Sequence, residues 1–492
     1  MYISTRGNIE PQTSAQAITL GMVPQGGLFV PQVIPSVDWR ELRGLNYAEL
    51  ALRIMKIFLP ELPQNTLTEA VKVYLDGRFA GENPAPLINT SVCGLLELWH
   101  GPTAAFKDMA LQVLPYLLKA SAKTVGLQED ILILTATSGD TGKAALEGFK
   151  DVPGTKIIVF YPEGGVSPVQ ERQMITTGGS NTKVAAVQGN FDQCQTAVKK
   201  MFSSKDLRQK LQQKGIVFSS ANSINWGRLL PQIVYYYWAY LQAVEQNKIS
   251  VGAKLNIVVP TGNFGNILAA YYAKRMGLPL SRLICASNRN KVLADFFQSG
   301  IYNIKRPFYL TTSPSMDILI SSNFERFLFE VSGRDSDKIT QWFSSLTQEG
   351  SFTVEADILQ HCRMEMAAGW ATDEEVAQTI KDVYEQDGYL LDPHTAVGMK
   401  VYRDYREKSG DQTYTVLTST ASPFKFAQSV LQALDVPNAK PDDPWEALNM
   451  LSRVTGWEIP VNLQGLKAKM APDVPSIRPE EIEEYILLAF QK

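Results

Sequence analysis

The chain has 492 residues, 45% of them apolar and 20% charged, which is enough for two or three domains around a sizeable buried core. Its 47 Lys and Arg against 50 Asp and Glu leave a formal net charge of −3, with no dense basic block. Nucleic acid and anionic membrane are therefore excluded as expected partners, and small metabolites are the default. Cys93, Cys194, Cys285 and Cys362 lie far apart with no metal-ligand spacing, so neither a disulfide framework nor a metal site is expected. The opening MYISTRGNIEPQ has neither a signal-peptide nor a transit-peptide pattern, and no apolar run reaches membrane-spanning length; a cytoplasmic location is expected.

In chain order, residues 1–90 read as an N-terminal domain or cover, with turn-forming stretches at Pro24–Gly27 and Asn83–Pro86 around a helical segment near Tyr47–Phe58. Residues 91–225 read as an α/β domain and 226–492 as a larger one. Short apolar strands alternate with helices: ILILTAT then KAALEGF, KIIVF then VQERQM, VAAV, IVFSS then WGRLLPQIVYYYWAYLQAV, LNIVVP then ILAAYYAKRM, and RLICAS. That alternation predicts largely parallel sheets, because parallel strands need crossover helices. Loops and charged helices interrupt the rhythm over 291–390, which reads as an insertion containing TSPSMDILISSNFERFLF. The pattern returns with TYTVLTST and FKFAQSVLQAL, and residues 478–492 read as an amphipathic terminal helix docked on the fold.

Ligands of open parallel sheets bind at the carboxyl ends of strands, which singles out three loops. After ILILTAT, Ser138-Gly139-Asp140-Thr141-Gly142 opens a helix with small and hydroxyl residues suited to an anion. Lys143 follows, but the spacing is too short for a nucleotide-phosphate loop and Ala144 stands where a Mg²⁺ ligand belongs. After LNIVVP, Thr261-Gly262-Asn263-Phe264-Gly265-Asn266 opens a second helix, its glycines allowing backbone to close on a phosphate. After TYTVL, Thr418-Ser419-Thr420-Ala421-Ser422 collects neutral hydroxyls of the kind that can face a pyridine nitrogen.

Upstream, HGPTAAFKDMALQVL predicts a helix whose buried face holds Phe106, Met109, Ala110, Val113, Leu114 and Leu117, with Lys107 at its edge. A lysine is ordinarily solvated. One held in a desolvated site loses part of its preference for the charged form, and its free amine can then bond to an aldehyde or shuttle protons.

HGPTAAFKD, TSGDTG, PTGNFGN, SPSMDILISSNFER and LDPHTAVG together resemble the signature blocks of threonine synthases, and YISTRG, GMVPQGGLFVP, SPVQERQM and SANSINWGRLLPQIVYY are similar to further blocks of that family. The resemblance covers nearly the whole chain. Its length and NFERF segment resemble the longer branch found in enterobacteria and fungi rather than the shorter archaeal-type or the plant enzymes. The resemblance implies a fold type II pyridoxal-phosphate enzyme, tryptophan synthase β-like, with two open α/β domains and an N-terminal extension. It implies a lyase of threonine biosynthesis that converts O-phospho-L-homoserine and water to L-threonine and phosphate by elimination and hydration. Lys107 is then the catalytic residue and carries pyridoxal 5'-phosphate. Gly262, Asn263, Phe264, Gly265 and Asn266 are implied to hold the cofactor phosphate, Thr420 to face the pyridine nitrogen and Asp140 to lie near the ring oxygen. Ser138, Gly139 and Thr141 are implied to grip the substrate carboxylate; Ser223, Asn225 and Arg228, or Lys143, are candidates for the departing phosphate by charge and loop position.

Other residues have plainer readings. Asp108 is expected to pair locally, Asp392 to cap a helix with Pro393 in its first turn, and Tyr235, Tyr236, Tyr237, Trp238 and Tyr240 to pack in the core. The resemblance leaves open that His394 lines the site; His100 and His361 have no partner at metal spacing. A monomer or homodimer is expected, with no nucleic acid, membrane or metal. The alternatives are a serine or threonine dehydratase or sulfhydrylase, which NFERF and the N-terminal blocks weigh against, a threonine-synthase-like phospho-lyase, and a non-catalytic amino-acid sensor on the same fold.

Overall fold

A computed structural model describes residues 1–137, 139–439, 441 and 443–490, without the side chains of Phe191 and Asp192. Two parallel sheets organise it. The larger runs, edge to edge, β13 (Met366–Trp370), β10 (Leu280–Ser287), β9 (Leu255–Pro260), β14 (Thr415–Ser419), β4 (Gly94–Glu97) and β3 (Leu87–Asn89). Every pairing in it is parallel except the edge hairpin of β3 and β4. The smaller is wholly parallel: β15 (Ser476–Ile477), β7 (Thr182–Val187), β6 (Thr155–Pro162), β5 (Asp130–Ala136) and β8 (Ile216–Ser219). Antiparallel pairs of β1 (Tyr2–Ser4) with β2 (Phe29–Pro31), and of β11 (Ile301–Asn303) with β12 (Ser351–Thr353), complete the strands.

Sheet membership departs from the expected boundaries in three places. β4, inside the expected first domain, pairs with β14 of the larger sheet, so the lysine segment that follows it grows from the larger sheet. β15 and the terminal helix Ile482–Leu488 belong to the smaller sheet, where Ile482 and Ile486 share a core with Ile158, Phe160 and Val187. β13, inside the expected insertion, is the edge strand beside β10. The physical reason is common to all three: GLLE, MAAGW and SI are too short to show an apolar alternation of their own, so the sequence marks neither the strands nor the neighbours that complete their hydrogen bonds.

The N-terminal segment has no core of its own. Its helix Tyr47–Phe58 begins where Asn46 accepts from the Glu49 N–H while the Glu49 carboxylate accepts from Asn46 N–H, a reciprocal cap. The apolar residues Leu50, Ala51, Ile54, Met55 and Phe58 are buried in the same cluster as Trp226 and Tyr272. Tyr2 meets Trp226 edge-on, ring centroids 5.4 Å apart. The YISTRG and NFER blocks, over 300 positions apart in sequence (|i−j| = 320 for Thr5 and Glu325), meet directly. Arg6 Nε and Nη2 donate to Glu325 at 3.0 and 2.8 Å, and Thr5 donates to the same carboxylate at 2.6 Å. Fully buried Arg326 spends its fork on Phe29 O, Ile224 O and Asn323 Oδ1, pinning β2 and the start of the buried helix Trp226–Glu245 to the loop around Asn323. No helix among the described residues is long and apolar enough to cross a membrane.

Candidate active site

β9, β14 and β4 are consecutive in the larger sheet, so their carboxyl ends bring the Thr261–Asn266 loop, the Thr420–Ser422 segment and the lysine segment side by side. β5 of the smaller sheet faces them with the loop that leads to Asp140.

Backbone bonds sew the lysine segment to the end of β14: Leu98 N–H donates to Ser419 O (3.0 Å), Phe106 N–H to Thr420 O (2.8 Å) and Ser422 N–H to Ala104 O (3.1 Å). Ala104 sits at φ +54°, a conformation that costs a non-glycine residue about 1 kcal/mol and is kept only where its surroundings enforce it. The expected single helix is two. Lys107 immediately precedes Asp108–Leu111, and a new helix begins at Leu114 with Pro115 in its first turn. Pro115 is tolerated only there, so the helix must restart; Met109, Ala110, Val113, Leu114 and Leu117 are nevertheless all buried. Asp108 pairs locally, accepting from Thr103 N–H at 2.8 Å and Thr103 Oγ1 at 2.9 Å. Burial pushes its carboxyl up to about 7 despite those bonds.

The Lys107 side chain is 11% exposed. Its Nζ donates to Ser315 Oγ at 3.2 Å and lies 3.8 Å from Asp140 Oδ2. Burial lowers the ammonium to about 8; Asp140 opposes that, while Lys425 and Arg228 reinforce it. Burial works to raise Asp140, but Lys425 Nζ at 2.6 Å, Lys107 and Gln170 Nε2 at 3.1 Å outweigh it and hold the carboxylate ionised, well below its usual range. The Asp140 loop is organised by Thr137, whose Oγ1 accepts from both Gly139 N–H and Gly142 N–H at 3.0 Å. Gly139 is at φ +144°, and a Cβ there would stand 2.5 Å from Gln170 Nε2, so only glycine lets Gln170 reach Asp140. Thr141 is half-buried beside it in the first turn of the helix Asp140–Phe149. Ser138 lies outside the described residues.

The second loop fits a phosphate. The helix Gly265–Arg275 starts after Phe264 at φ +64° with no side-chain cap, leaving first-turn N–H groups for an anion. Asn266 Oδ1 accepts from both Tyr235 and Tyr236 hydroxyls, which leaves its buried Nδ2 with no hydrogen-bond partner among the described residues. A buried amide without a partner costs about 1–3 kcal/mol, so a polar group belongs there. The loop is braced by Ser321 Oγ on Gly262 O (2.7 Å), Asn323 on Asn263 O (3.1 Å) and Ser322 Oγ on Asn263 Oδ1 (3.2 Å). The tyrosines are thus more than core packing: two of them orient Asn266. Thr420 is buried at the end of β14 next to the lysine segment, its N–H donating to Thr395 Oγ1 at 3.3 Å.

The phosphate candidates divide. Ser223 Oγ is 3.4 Å from Ser322 Oγ and so borders the second loop. Arg228 is buried, donates to Ala221 O at 2.8 Å, is lowered by burial to about 10, and its charge acts on Lys107. Asn225 is committed elsewhere, its amide bonded to Ile18 O, Ser220 O and Gly227 N–H; it caps the helix Trp226–Glu245 rather than facing a ligand. Lys143 is likewise turned away, onto Glu147 and Thr177. Asp392 caps the helix Pro393–Ser409 as expected, and His394 is buried in the first turn of that helix. Its Nδ1 bonds Asp392 Oδ1 at 2.8 Å while Nε2 accepts the Ser315 N–H at 3.1 Å. Among the described residues no group of three or more His, Cys, Asp or Glu could hold a metal.

Lys425, Ser315, Gln170 and Thr137 are the site residues missed in sequence. Lys425 had a signal, a lone cation in the apolar PFKFA directly after the third loop; the others are neutral residues that only folding brings together.

Comparison with known proteins agrees with this geometry. The chain matches the family models for the threonine synthase N terminus over residues 1–73, for pyridoxal-phosphate dependent enzymes over 83–420 and for the threonine synthase C-terminal region over 395–460. It is 37% identical to a threonine synthase of Saccharomyces cerevisiae over 468 residues, covering 88% of this chain and 89% of that one. It is 39% identical to human threonine synthase-like 1 over 457 residues, covering 88% of this chain but 61% of that longer protein, so it spans under two thirds of the threonine synthase-like 1 proteins. The crystal structure of pyridoxal-phosphate-bound threonine synthase from Brucella melitensis superposes with a TM-score of 0.88 at 39% identity, covering 99% of this chain and 98% of that one. The yeast threonine synthase crystal structure gives 0.88 at 34% identity, covering 100% and 99%. The family models, and a fold shared from end to end with these threonine synthases, place this chain among the pyridoxal-phosphate-dependent enzymes of the threonine synthase family.

Proposed function

We propose that the chain converts O-phospho-L-homoserine and water to L-threonine and phosphate, with Lys107 as the residue that carries pyridoxal 5'-phosphate and moves the protons. The observation that carries this reading is the Lys107 amine, buried and lowered to about 8, next to a loop with unsatisfied anion-binding donors. Gly262 through Asn266 would hold the cofactor phosphate, Thr420 would meet the pyridine nitrogen and Asp140 the ring oxygen.

The bound cofactor supplies an aldehyde that joins to amines and a conjugated ring that accepts electron density from the substrate α-carbon. The overall change requires protons taken from the α- and β-carbons, departure of phosphate from Cγ and addition of water at Cβ. Lys107 Nζ, a free base for a large fraction of the time near its lowered pKa, can accept a proton at Cα and return protons on the same face. Asp140 stays ionised throughout, so it holds Lys107 and Lys425 by charge rather than exchanging protons with them. The first-turn N–H groups around Gly139 and Thr141, with Ser138, are suited to the substrate carboxylate. Arg228 and Ser223 are suited to the departing phosphate, whose charge grows as it leaves. The proposal extends to a cytoplasmic enzyme, monomeric or homodimeric, whose four buried cysteines are kept as thiols.

The second reading is a threonine-synthase-like phospho-lyase, which shares the elimination of phosphate but does not complete hydration to threonine. Product identification from O-phospho-L-homoserine separates the two. Threonine with stoichiometric phosphate supports the first reading; 2-oxobutyrate with phosphate supports the second; release of neither overturns both.

A further inference from the structure

One serine in the site, Ser315, is held from every side. Ser315 lies in a short helical turn, Pro314–Met316. Asp317 staples the loop that carries it: Oδ1 accepts from Asn288 (2.8 Å), Asn290 (3.0 Å) and Thr311 Oγ1 (2.7 Å), and Oδ2 from Thr311 N–H (3.0 Å). The Ser315 N–H is taken by His394 Nε2, whose tautomer is fixed by Asp392 on Nδ1. The Ser315 carbonyl sits against Gly262, where a Cβ would stand 2.8 Å away. Its side-chain oxygen lies 3.2 Å from Lys107 Nζ and 3.3 Å from Asp140 Oδ2. Asp140 is an obligate acceptor, because Lys425 keeps it ionised, so the Ser315 proton must point at Asp140 and a lone pair must face Lys107.

We infer that Ser315 is a positioning residue for the Lys107 amine: its hydroxyl, turned by Asp140, accepts an N–H of Lys107 and so fixes both the direction and the proton affinity of Nζ. A serine with a merely structural role would not touch that affinity. The inference rests on the proposed function only in taking Lys107 as the cofactor-bearing amine. The charged groups whose fields act on Lys107 are Asp140, Lys425, Arg228 and Asp108; substituting Ser315 leaves all four in place, and Asp140 loses one donor while keeping Lys425 and Gln170.

The test uses the full-length chain, with its cofactor removed by hydroxylamine, and follows acylation of Lys107 against pH by mass spectrometry with an exposed lysine as internal reference. Ser315→Ala removes an acceptor that favours the ammonium, so the Lys107 profile moves down by about half a unit to one unit. Ser315→Thr, which keeps the hydroxyl, retains the wild-type profile. Ser315→Cys, which keeps the size but offers a weak acceptor, moves it in the alanine direction and serves if the alanine variant does not fold. A profile for folded alanine or cysteine variants that superposes on the wild type overturns the inference. Borohydride reduction and peptide mapping of the holoenzyme stand apart as the check on the underlying reading. An adduct at Lys107 with unchanged profiles sinks only the role of Ser315, and an adduct elsewhere sinks the assignment of Lys107.

Discussion

Lys425 Nζ lies 2.6 Å from Asp140 Oδ1, with the two side chains only 1% and 4% exposed. Lys425 belongs to the larger sheet's side of the site and Asp140 to the smaller's, so this pair clasps the two halves at the point where Lys107 emerges. Removing one partner of a buried pair leaves the other charge uncompensated and costs about 3–5 kcal/mol. Lys425→Met is therefore expected to lose stability on that scale in urea unfolding. It is also expected to raise the pKa of Lys107, because a repelling cation is gone and Asp140 is freed to pair with Lys107.

The Lys107 ammonium is lowered from 10.5 to about 8, so it loses its proton more readily folded than unfolded. Recombination of the full-length apoprotein with pyridoxal phosphate requires the free amine, and its rate is expected to rise with pH through about 8 and then level. For stability the sign is the same. Between about 8 and 10.5 the unfolded chain holds more protons at this position, so stability gained from Lys107 grows as pH rises across that window. Below about 8 the buried ammonium is a burden. Lys107→Met is thus expected to unfold at higher urea than the wild type at pH 7, by up to about 3 kcal/mol, with the advantage shrinking toward pH 10.5.

Gly262→Ala puts a Cβ 2.8 Å from a backbone carbonyl oxygen, that of Ser315. Backbone cannot rotate away as a side chain can, so the phosphate loop and the Ser315 turn must separate. Cofactor affinity is expected to fall at least about ten-fold, an effect of roughly 1.4 kcal/mol or more, measured by titrating apoprotein with pyridoxal phosphate. Retention of wild-type affinity would show that the loop is not the phosphate cradle.

If Asn266 helps to hold the cofactor phosphate as proposed, Tyr235 and Tyr236 act through it, since both hydroxyls donate to its Oδ1. Tyr236→Phe and Tyr235→Phe each remove one of the two donors that fix the Asn266 amide, and the double variant removes both. Each single change is expected to weaken cofactor binding several-fold, about 1 kcal/mol per hydrogen bond, and the double to exceed either. Asn266→Ala should match the double variant, because the three side chains then form one unit.

Much of the scaffold was legible in the sequence. The helix at Tyr47–Phe58 and the strands β5 to β10 and β14 follow from apolar spacing, caps and flanking turns, and the three loops follow from the rule that ligands bind beyond the carboxyl ends of parallel strands. Pairing partners were not legible. The four-residue β4 carries no alternation long enough to mark it, and its attachment to β14 moves the lysine segment to the larger sheet. Nor could sequence separate Arg228, whose charge reaches Lys107, from Asn225, whose amide is consumed by three backbone groups. Asn225 caps the helix Trp226–Glu245 and Arg228 lies in its first turn, and they differ in where folding aims them. Ser315 lies inside the SPSMDILISSNFER block, yet its role was not legible for the same reason: a neutral hydroxyl acquires meaning only from Lys107, Asp140 and His394, which approach it from distant parts of the chain.

The central claim is that the Lys107 amine is the attachment point of the cofactor. Borohydride reduction of the holoenzyme, followed by proteolysis and mass mapping, tests it most directly. The expected result is a single pyridoxyl group on the peptide containing Phe106-Lys107-Asp108, absent from Lys107→Ala. A pyridoxyl group on Lys425 or on any other lysine, or none on a protein that nonetheless binds the cofactor, would contradict the account.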